Sequence, residues 1–381
     1  MKSVGNEIQQ FINANLNTDL HSLLLKKSPF PEVSMQEIVQ QIKGRKVAEK
    51  KFPFLLKEGI IFPPNLNLEQ ASSEATGNYK CQLTKGKSML DLTCGFGIDA
   101  YFLSKNFNEI TLIEQNSELI EIVQNNWKIL NKKADFLNLK LEDFILNNSQ
   151  KFDLIYLDPA GRDENKNKVF LLEDLSPNFI DIQDGLLEIS DKILMKLSPL
   201  IDISYLISVV KNTAEIHIVA VKNDVKELLV FINSKENSDQ IKIKCVNLET
   251  NEPDFEFNFN EISSAKSEFS NSQKYLYIPN NSVLKSGAFN LVSEKFKLAK
   301  LHQNSHFYTS ENKIENFPGR TLKTEIIEAK NIKKGEKFNI ISKNYPLTPD
   351  EIRKKYKLKD GGKNYLIFTQ SVNGKIILKS I

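Results

Sequence analysis

The sequence predicts an α/β fold in which a mostly parallel sheet of about seven strands is covered by helices on both faces. Short apolar strands alternate with amphipathic helices from about residue 88 onward, and this alternation is typical of parallel sheets. The first strand also runs directly into a loop with two glycines. Sheets of this class bind ligands at the carboxyl ends of their strands, so we expect a ligand site there.

The predicted strands are short apolar runs that follow one another along the chain. They are SMLDLTC (88–94), EITLIE (109–114), DFLNLKL (135–141), FDLIYLD (152–158), KILMKL (192–197), AEIHIVAV (214–221) and IKIKCVNL (241–248). FEFNFN (255–260) alternates in polarity and is expected to close the sheet as an antiparallel strand. Helices are predicted between the strands, and one of them is placed at Val225–Ile232.

Residues 1–80 are predicted to form an N-terminal helical segment. Apolar residues such as Ile8 and Ile12 recur at helical spacing, and prolines divide the segment into short pieces. Ser34, with Glu37 three residues later, predicts a capping box at the start of one helix.

A different pattern begins after a polar stretch at 263–273, which is predicted to end the sheet domain. A helical piece is expected near 283–301, and a small α+β module follows it. In this module a helix is predicted at Pro349–Lys357. Asn373-Gly374 is the signal for a final hairpin turn.

Charge is distributed unevenly along the chain. From residue 281 onward there are 20 lysines or arginines against 9 acidic residues, a difference of +11, whereas the first 280 residues carry −8. A basic third suits an anionic partner such as RNA, and the alternative is a lysine-rich solvated surface. The predicted helix with its basic residues could grip an RNA backbone. Those residues are Arg353, Lys354, Lys355, Lys357 and Lys359.

Composition argues against several classes of protein. No run of 18 apolar residues exists, so a membrane span is not expected, and the N-terminus lacks the apolar core of a secretory signal. The three cysteines have neither disulfide-scaffold nor metal-site spacing, and His302 and His306 lack further metal ligands at a suggestive spacing. We therefore expect a cytoplasmic protein without a metal.

The segment from Asp91 to Gly97 is the first candidate site. Asp91 lies near the end of an apolar strand, Gly95 and Gly97 follow, and a helix then begins. Glycines let a ligand approach the backbone closely, and the free N–H groups of the helix start can face its polar atoms. Ala100 completes a pattern that dinucleotide sites also tolerate. The loop alone therefore does not separate NAD from S-adenosylmethionine (SAM).

Two further carboxylates are candidates for a nucleoside cofactor. Glu114 ends the second strand, where an acidic residue can accept hydrogen bonds from ribose hydroxyls; the alternative is a solvated carboxylate at the strand end. Asp143 follows the third strand and could accept the adenine amino group. It could equally be the N-cap of a short helix at Phe144–Leu146.

The end of the fourth strand favours methyl transfer. There Asp158 and Pro159 follow the strand directly, at the place where SAM methyltransferases acting on nucleic acids carry an Asp/Asn-Pro-Pro-like tetrad. Proline fixes the loop, and the carboxylate can orient an exocyclic amine for in-line transfer. The alternative is a plain turn. Arg162, which Asp163 follows, could contact a phosphate or a substrate carboxylate, or form a salt bridge within the loop.

Several longer segments resemble one bacterial family, the class I SAM-dependent methyltransferases with a C-terminal THUMP-like domain. The resemblance covers roughly residues 20–381. In the first half it rests on QASSE (70–74), DLTCGFGID (91–99), LDPAGRD (157–163), Ser176-Pro177 and KLSPLID (196–202). In the tail it rests on YLYIPNNSVLKSGAF (275–289), HQNSHFYTS (302–310) and NYPLTPDEIRKKYKLKDGGKNYLIFT (344–369).

This resemblance implies a Rossmann-like seven-stranded methyltransferase sheet that binds SAM. The implied cofactor residues are Ser73 and Glu74 near the amino acid end, Asp91, Thr93, Gly95 and Gly97 along the methionine half, Glu114 at the ribose and Asp143 at the adenine. Asp158, Pro159 and Ala160 would form the methyl-acceptor edge, and they are the expected catalytic residues, with Asp158 also bordering the cofactor. The tetrad of this chain reads Asp-Pro-Ala-Gly and therefore lacks the aromatic residue of Asp-Pro-Pro-Tyr.

The expected domains are a helical segment (1–80), a methyltransferase domain (81–265), a ferredoxin-like module (270–318) and a THUMP-like module (319–381). The expected activity is methyl transfer from SAM to an RNA base, in tRNA or rRNA, with the basic C-terminal module binding the RNA. Two alternatives stay open. One is a methyltransferase acting on a protein or small molecule, and the other is a non-catalytic RNA-binding protein with a degenerate SAM pocket.

Overall fold

The computed structural model describes residues 5–160, 171–236 and 240–381. Its helices are α1 Asn6–Ala14, α2 Leu20–Leu24, α3 Met35–Lys51, α4 Asn65–Gln70, α5 Glu74–Leu83, α6 Ile98–Leu103, α7 Ser117–Ile129, α8 Leu141–Asn147, α9 Phe179–Ile189, α10 Ile203–Val209, α11 Glu261–Ser264, α12 Asn281–Lys285, α13 Phe289–Phe296 and α14 Pro349–Tyr356. Short 3-10 helices lie at Pro53–Leu55, Ser104–Asn106, Leu172–Asp174 and Ala329–Asn331.

The strands fall into two sheets. They are β1 Ser88–Asp91, β2 Glu109–Ile113, β3 Asp135–Leu137, β4 Leu154–Leu157, β5 Lys192–Leu197, β6 Thr213–Val221, β7 Asp224–Asn233, β8 Lys242–Leu248, β9 Phe255–Asn258, β10 Tyr275–Pro279, β11 Ala299–Lys300, β12 Tyr308–Ser310, β13 Gly319–Ile326, β14 Lys337–Ser342, β15 Lys359–Ser371 and β16 Gly374–Ser380.

The first sheet has the strand order β3-β2-β1-β4-β5-β7-β6-β8-β9. β1 pairs in parallel with both β2 and β4, and β3 and β5 continue the parallel pairing on either side. β7 is antiparallel to β5, and β9 is antiparallel to β8. The predicted α/β class is confirmed. The strand order reverses between β1 and β4, which is where open sheets of this class bind ligands.

Within the described residues this sheet has nine strands rather than the seven expected. The helix predicted at Val225–Ile232 is wrong because these residues lie in β7. Lys222 and Asn223 both have positive φ, 50° and 68°, as in the two-residue turns that join antiparallel strands. Residues 227–230 are buried without interruption. The alternation that marks a half-buried strand is therefore missing, and a short apolar run of this kind is ambiguous between helix and strand.

The chain divides into two compact units, Met1–Ala214 with Leu228–Ser238, and Glu215–Glu227 with Asp239–Ile381. In the first unit, α1, α2 and α3 pack around a small core. The capping box predicted from Ser34 and Glu37 is present at the start of α3.

A second cluster of aromatic residues in the first unit lies behind the glycine loop. Phe52 and Phe62, which follow α3, pack with Phe96 of the loop and Phe102 of α6. The helical segment that precedes the sheet therefore packs against the glycine loop, because Phe96 of the loop is buried within this cluster.

The second unit contains a sheet with the order β11-β12-β10-β13-β16-β15-β14. β14 and β15 are parallel, whereas β15 and β16 form the predicted hairpin, with Ser371 paired to Gly374 across the turn. The helical piece expected near 283–301 consists of α12, α13 and β11. Gly287, with a φ of 73°, separates the two helices, since a left-handed residue ends a helix.

None of the helices in the described part of the chain combines the length and the apolar character that a membrane span needs.

Candidate active site

The candidate site lies in the first unit, at the carboxyl ends of β1, β2 and β4. Asp91 is the last residue of β1, Glu114 follows β2, and Asp158 follows β4. β1 pairs with both β2 and β4, so these three carboxylates meet at one edge of the sheet. Burial raises the pKa of Asp91, and the nearby carboxylates of Asp158 and Glu114 raise it further, as expected for like charges at short range.

The two glycines of the loop have different structural roles. Gly95 has a φ of 54°, and a Cβ built on it would have only the Thr93 carbonyl oxygen within 4 Å, at 3.8 Å, so the loop surface is open there. Gly97 has a φ of 73°, and its Cβ would lie 2.8 Å from Val123 Cγ1 and 3.2 Å from Trp127 Nε1. Gly97 therefore permits close packing of α6 against α7, whereas Gly95 leaves space for a ligand.

Glu114 is fixed against the glycine loop. Its Oε2 accepts a hydrogen bond from the Gly95 backbone N–H at 3.0 Å, and its Oε1 accepts one from Asn116 N–H at 2.9 Å. The Glu114 backbone carbonyl also accepts from Asn138 Nδ2 at 2.8 Å. Each carboxylate oxygen has a further lone pair for ligand hydroxyls.

Asp91 is an enclosed carboxylate without a cationic partner among the described residues. It is 1% exposed, and its Oδ1 accepts from Thr93 N–H at 2.9 Å. Burial raises the pKa of Asp91 well above its ordinary value, and the negative charges of Asp99, Asp158 and Glu114 raise it further. A positively charged ligand group would be attracted to this position.

Thr93 connects the loop after β1 to the loop after β4. Its Oγ1 accepts a hydrogen bond from Asp158 N–H at 2.6 Å. Beyond Asp158, Pro159 is buried and Ala160 is exposed. Ala160 N–H donates to Ser176 O at 2.8 Å, and Ser176 N–H donates back at 3.1 Å. The Asp-Pro-Ala loop is therefore held at both ends.

Asp158 combines exposure with a cationic partner. Its Oδ2 lies 2.6 Å from Lys196 Nζ, and its side chain is 35% exposed. Burial raises the pKa of Asp158, and Lys196 partly opposes that effect. Asp158 can therefore reach a substrate, with one oxygen held by lysine.

A buried charge network that the sequence did not reveal adjoins Asp158 through Lys196. Asp99 Oδ2 accepts hydrogen bonds from Ser72 Oγ at 2.8 Å and from Tyr156 Oη at 2.6 Å. Lys80 Nζ lies 3.1 Å from Asp99 Oδ1, and Lys196 Nζ lies 3.4 Å from Oδ2. Burial alone would raise the pKa of Asp99, but the two lysines and the two hydroxyls hold it well below the ordinary value.

Lys196 belongs to both parts of the site, because its ammonium group contacts Asp99 and Asp158. The position of Lys196 inside the apolar run KILMKL was a sequence signal for a buried ion pair, since lysines are almost never fully buried unless they are paired. Asp99 gave a weaker signal, only two residues beyond Gly97. Neither residue had an identifiable partner in the linear sequence.

The remaining predicted residues lie at the borders of the site. Ser73 is the N-cap of α5, where its Oγ accepts from Thr76 N–H at 3.3 Å, and Glu74 is the first residue of that helix. Asp143 is exposed in the first turn of α8. The alternative that Asp143 is an N-cap is wrong, because α8 begins at Leu141 with Lys140 as its N-cap.

Other predicted features fall outside this site. Arg162 and Asp163 lie outside the described residues. His302 and His306 are in the second unit and belong to no helix. Within the described ranges, no group of three or more His, Cys, Asp or Glu residues could hold a metal ion.

Three parts of the chain match known families. Residues 70–177 match a family described as conserved hypothetical protein 95. Residues 275–318 match a ferredoxin-like domain, and residues 320–379 match a THUMP-like domain.

Two relatives are informative. A crystal structure of a candidate methyltransferase from Porphyromonas gingivalis W83 is 30% identical, with a TM-score of 0.85, and the match covers 98% of this chain and 96% of that chain. A curated protein named an uncharacterized RNA methyltransferase, from Protochlamydia amoebophila (strain UWE25), is 29% identical over 180 residues, which is 44% of this chain. The match spans 41% of the length of that curated relative.

Proposed function

The chain belongs to the class I SAM-dependent methyltransferases that carry a C-terminal THUMP-like domain, and from this membership we propose that it transfers a methyl group from SAM to a base of RNA, in tRNA or rRNA. The observation that carries the proposal is the hydrogen bond between Thr93 Oγ1 and Asp158 N–H. It joins the glycine loop, where a cofactor would bind, to the Asp-Pro loop, where a methyl acceptor would bind.

The charges of the glycine-loop pocket suit SAM. When bound, SAM supplies an electrophilic methyl group on a positively charged sulfur atom. Asp91 is an enclosed carboxylate that has no cationic partner among the described residues, and the carboxylates of Asp99, Asp158 and Glu114 lie near it. A ligand with positive charge relieves this repulsion, and the open surface at Gly95 leaves room for it.

We assign the cofactor contacts as the sequence predicts them. Glu114 would accept hydrogen bonds from the ribose hydroxyls with the lone pairs that Gly95 and Asn116 leave free. The other assigned contacts are Asp91, Thr93, Gly95 and Gly97 for the methionine half, Ser73 and Glu74 for its amino acid end, and Asp143 for the adenine.

Asp158 is assigned to the acceptor side. In the proposed transfer, an amine nitrogen of the substrate would take the methyl group of SAM as the carbon–sulfur bond breaks and S-adenosylhomocysteine leaves, and the nitrogen would then release a proton. The free oxygen of Asp158 would orient the amine by accepting a hydrogen bond from it. Because burial raises the pKa of Asp158, its carboxylate is also a stronger base for the released proton than an ordinary aspartate.

RNA as the methyl acceptor is supported by three features. The curated relative is named an RNA methyltransferase, residues 320–379 match a THUMP-like domain, and the chain from residue 281 onward has an excess of basic residues. Phosphate contacts by lysine and arginine supply most of the sequence-independent affinity for nucleic acids.

The decisive experiment measures tritiated-methyl transfer from SAM to total RNA isolated from a strain that lacks the protein. We expect labelled RNA with the wild type and background labelling with Asp158→Asn. Mass spectrometry of nucleosides from the labelled RNA would identify the methylated base. Labelling that Asp158→Asn leaves unchanged would refute the role of Asp158.

Calorimetry with SAM tests the cofactor separately from the acceptor. We expect binding by the wild type and by Asp158→Asn. If SAM binds but only protein or small-molecule fractions are labelled, the RNA assignment is wrong while the cofactor assignment stands. If SAM does not bind, the chain has a degenerate pocket.

A further inference from the structure

Three basic side chains lie together in the second unit. Lys300 ends β11, His306 lies in the loop before β12, and Lys343 follows β14. The His306 ring stacks on Phe289, with the ring centroids 3.6 Å apart, and Lys300 Nζ lies 5.9 Å from the centroid of the same Phe289 ring. Lys343 Nζ lies 5.9 Å from the ring centroid of Phe307. We refer to Lys300, His306 and Lys343 as the basic cluster.

The basic cluster lacks negative charge. Neither Lys300 nor Lys343 has an ion pair among the described residues, and burial lowers the pKa of both. Burial, followed by the positive charges of these two lysines, lowers the pKa of His306 from 6.5 to about 4. Partly buried cations are normally paired. Three neighbouring basic groups without a carboxylate therefore form a position that favours an anion.

The two histidines of this region differ in their partners. His302 Nδ1 accepts a hydrogen bond from Asn304 N–H at 3.1 Å and lies 3.0 Å from Asn344 Nδ2. His306 Nδ1, by contrast, is buried and has no hydrogen-bond partner within the described structure. The ring of His306 stacks on Phe289, and no described protein group forms a hydrogen bond with its Nδ1 atom.

An exposed aromatic ring stands beside the cluster. Phe269 is 48% exposed, and Lys300 Nζ lies 5.9 Å from its ring centroid. A β-bridge pairs Phe269 directly with Lys300. Exposed aromatic rings next to lysines are the arrangement with which proteins bind single-stranded nucleic acids, because bases stack on the ring while cations contact the backbone.

We propose that the basic cluster binds a phosphate group of single-stranded RNA, with Phe269 as the ring on which a neighbouring base stacks. Lys343 and His306 would contact the phosphate oxygens, and the more deeply buried Lys300 would add its charge from below. This inference rests on the proposed RNA substrate and names the place in the second unit that holds it. The ring beside the cations favours a nucleotide over the carboxylate of a protein.

The first test uses inorganic phosphate as the probe and the full chain. The chain has four histidines, so the imidazole signals of a histidine-labelled sample can be assigned by NMR with His306→Gln. An anion at the cluster stabilises the imidazolium form, and we therefore expect phosphate to raise the titration midpoint of His306. Lys343→Gln should reduce this rise. An unchanged midpoint at saturating phosphate would overturn the proposal.

The second test measures binding of the full chain to a labelled oligouridylate of about 12 nucleotides over a range of salt concentrations. Loss of one phosphate contact in Lys343→Gln should lower the slope of log K against log salt by about 0.7. Lys375→Gln is the matched control, because Lys375 is an exposed lysine of the same unit outside the cluster. Phe269→Leu should weaken binding about tenfold, since it removes the stacking ring but keeps an apolar side chain.

The outcomes separate this proposal from the broader one. If Lys343→Gln and Lys375→Gln bind RNA equally, the assignment of the cluster fails while an RNA substrate remains supported by wild-type binding. If phosphate shifts the titration midpoint of His306 but Lys343→Gln binds RNA like the wild type, the cluster binds a small anion. The assignment of RNA to the cluster is then wrong. If the wild type binds no RNA, the proposed substrate fails as well. SAM affinity, measured by calorimetry, should be unchanged in every cluster variant.

Discussion

The candidate active site of the first unit and the basic cluster of the second unit have opposite imbalances of charge. Among the described residues around Asp91 the carboxylates exceed the lysines, and the two buried lysines, Lys80 and Lys196, pair with Asp99 and Asp158. Around His306 the basic groups have no carboxylate at all among the described residues. An ionised group taken out of water without a partner is unfavourable, so each imbalance indicates the charge of the ligand that would remove it.

The two sites also differ in the contacts that hold their charged groups in place. The acidic site is held by short hydrogen bonds and ion pairs, such as Tyr156 Oη to Asp99 Oδ2 at 2.6 Å. The basic cluster is held mainly by aromatic rings, such as Phe289 against His306. Rings pack against cations without neutralising them, whereas carboxylates remove the charge. The acidic site is therefore suited to holding reacting groups in fixed positions. The basic cluster keeps its positive charge available to an anionic partner.

The largest expected effect comes from removing the charge of Asp158. Asp158→Asn keeps the shape of the side chain but loses the base, so we expect kcat for methyl transfer to fall about 100-fold or more. The matched control is Asp184→Asn, because Asp184 is an exposed aspartate that pairs with Lys211 in the same unit. Steady-state kinetics with saturating SAM would check this. Equal losses in both variants would contradict a specific role for Asp158.

Breaking the buried network tests whether the acidic site depends on its lysines. Lys196→Met leaves Asp158 without its cation and removes one partner of Asp99, so we expect a loss of about 3–5 kcal/mol in the free energy of unfolding. Lys192→Met in the same strand is the control, because Lys192 is exposed. Denaturant titration would measure both. A loss below about 1 kcal/mol in Lys196→Met would mean that the network contributes little to stability.

The two glycines allow stability to be separated from cofactor binding. Gly97→Ala places a Cβ 2.8 Å from Val123 Cγ1 at a positive φ, and we expect it to reduce the free energy of unfolding by about 2 kcal/mol or more. Gly95→Ala meets no close atom and should cost only about 1 kcal/mol. Calorimetry should show the larger loss of SAM affinity in Gly95→Ala. A larger loss of SAM affinity in Gly97→Ala than in Gly95→Ala would mean that the cofactor does not bind at the Gly95 surface.

The smallest expected effect is a pH dependence in the second unit. The pKa of His306 is about 4 in the folded protein against 6.5 for an ordinary histidine. The unfolded chain therefore binds more protons between these values, and stability is lost as the pH falls through this window. After discounting for partial exposure, we expect His306 to account for roughly 1 kcal/mol between pH 7 and pH 4.

His306→Phe, which keeps the stacking on Phe289, should lessen this pH dependence. Denaturant titrations at several pH values would measure it, with His21→Phe as the control variant, because His21 lies in the first unit, outside the basic cluster. An identical pH dependence in the wild type and His306→Phe would show that His306 does not titrate in this range.

The class of the fold, and the meeting of the candidate carboxylates at one edge of the sheet, could be predicted from the sequence because both depend on local patterns. Apolar runs and glycines determine where strands end, and the ends of parallel strands meet at one edge. The strand β7 could not be recognised, since burial on both faces removes the alternation of polar and apolar residues. The prediction that Asp143 binds adenine stays a prediction, and so do the four domain boundaries.

The charge network could not be predicted because it joins residues far apart in the chain. Asp99, Lys80 and Lys196 lie on α6, α5 and β5, and only the folded arrangement brings the two ammonium groups within 3.4 Å of the Asp99 carboxylate. The basic cluster has the same character. It combines a loop near residue 306 with a turn near residue 343, and an excess of lysine in the sequence does not show which lysines lack acidic partners.

The hydrogen bond from Asp158 N–H to Thr93 Oγ1 would couple binding of the methyl donor to binding of the methyl acceptor. A ligand that orders the loop after β1 must also restrict the loop after β4, because the Thr93 hydroxyl of the first loop accepts a hydrogen bond from the Asp158 backbone of the second. Binding of either substrate would then change the affinity for the other by the same factor, as reciprocity of coupled equilibria requires. Thr93, which the sequence predicts to line the cofactor, would carry that communication through its side-chain oxygen.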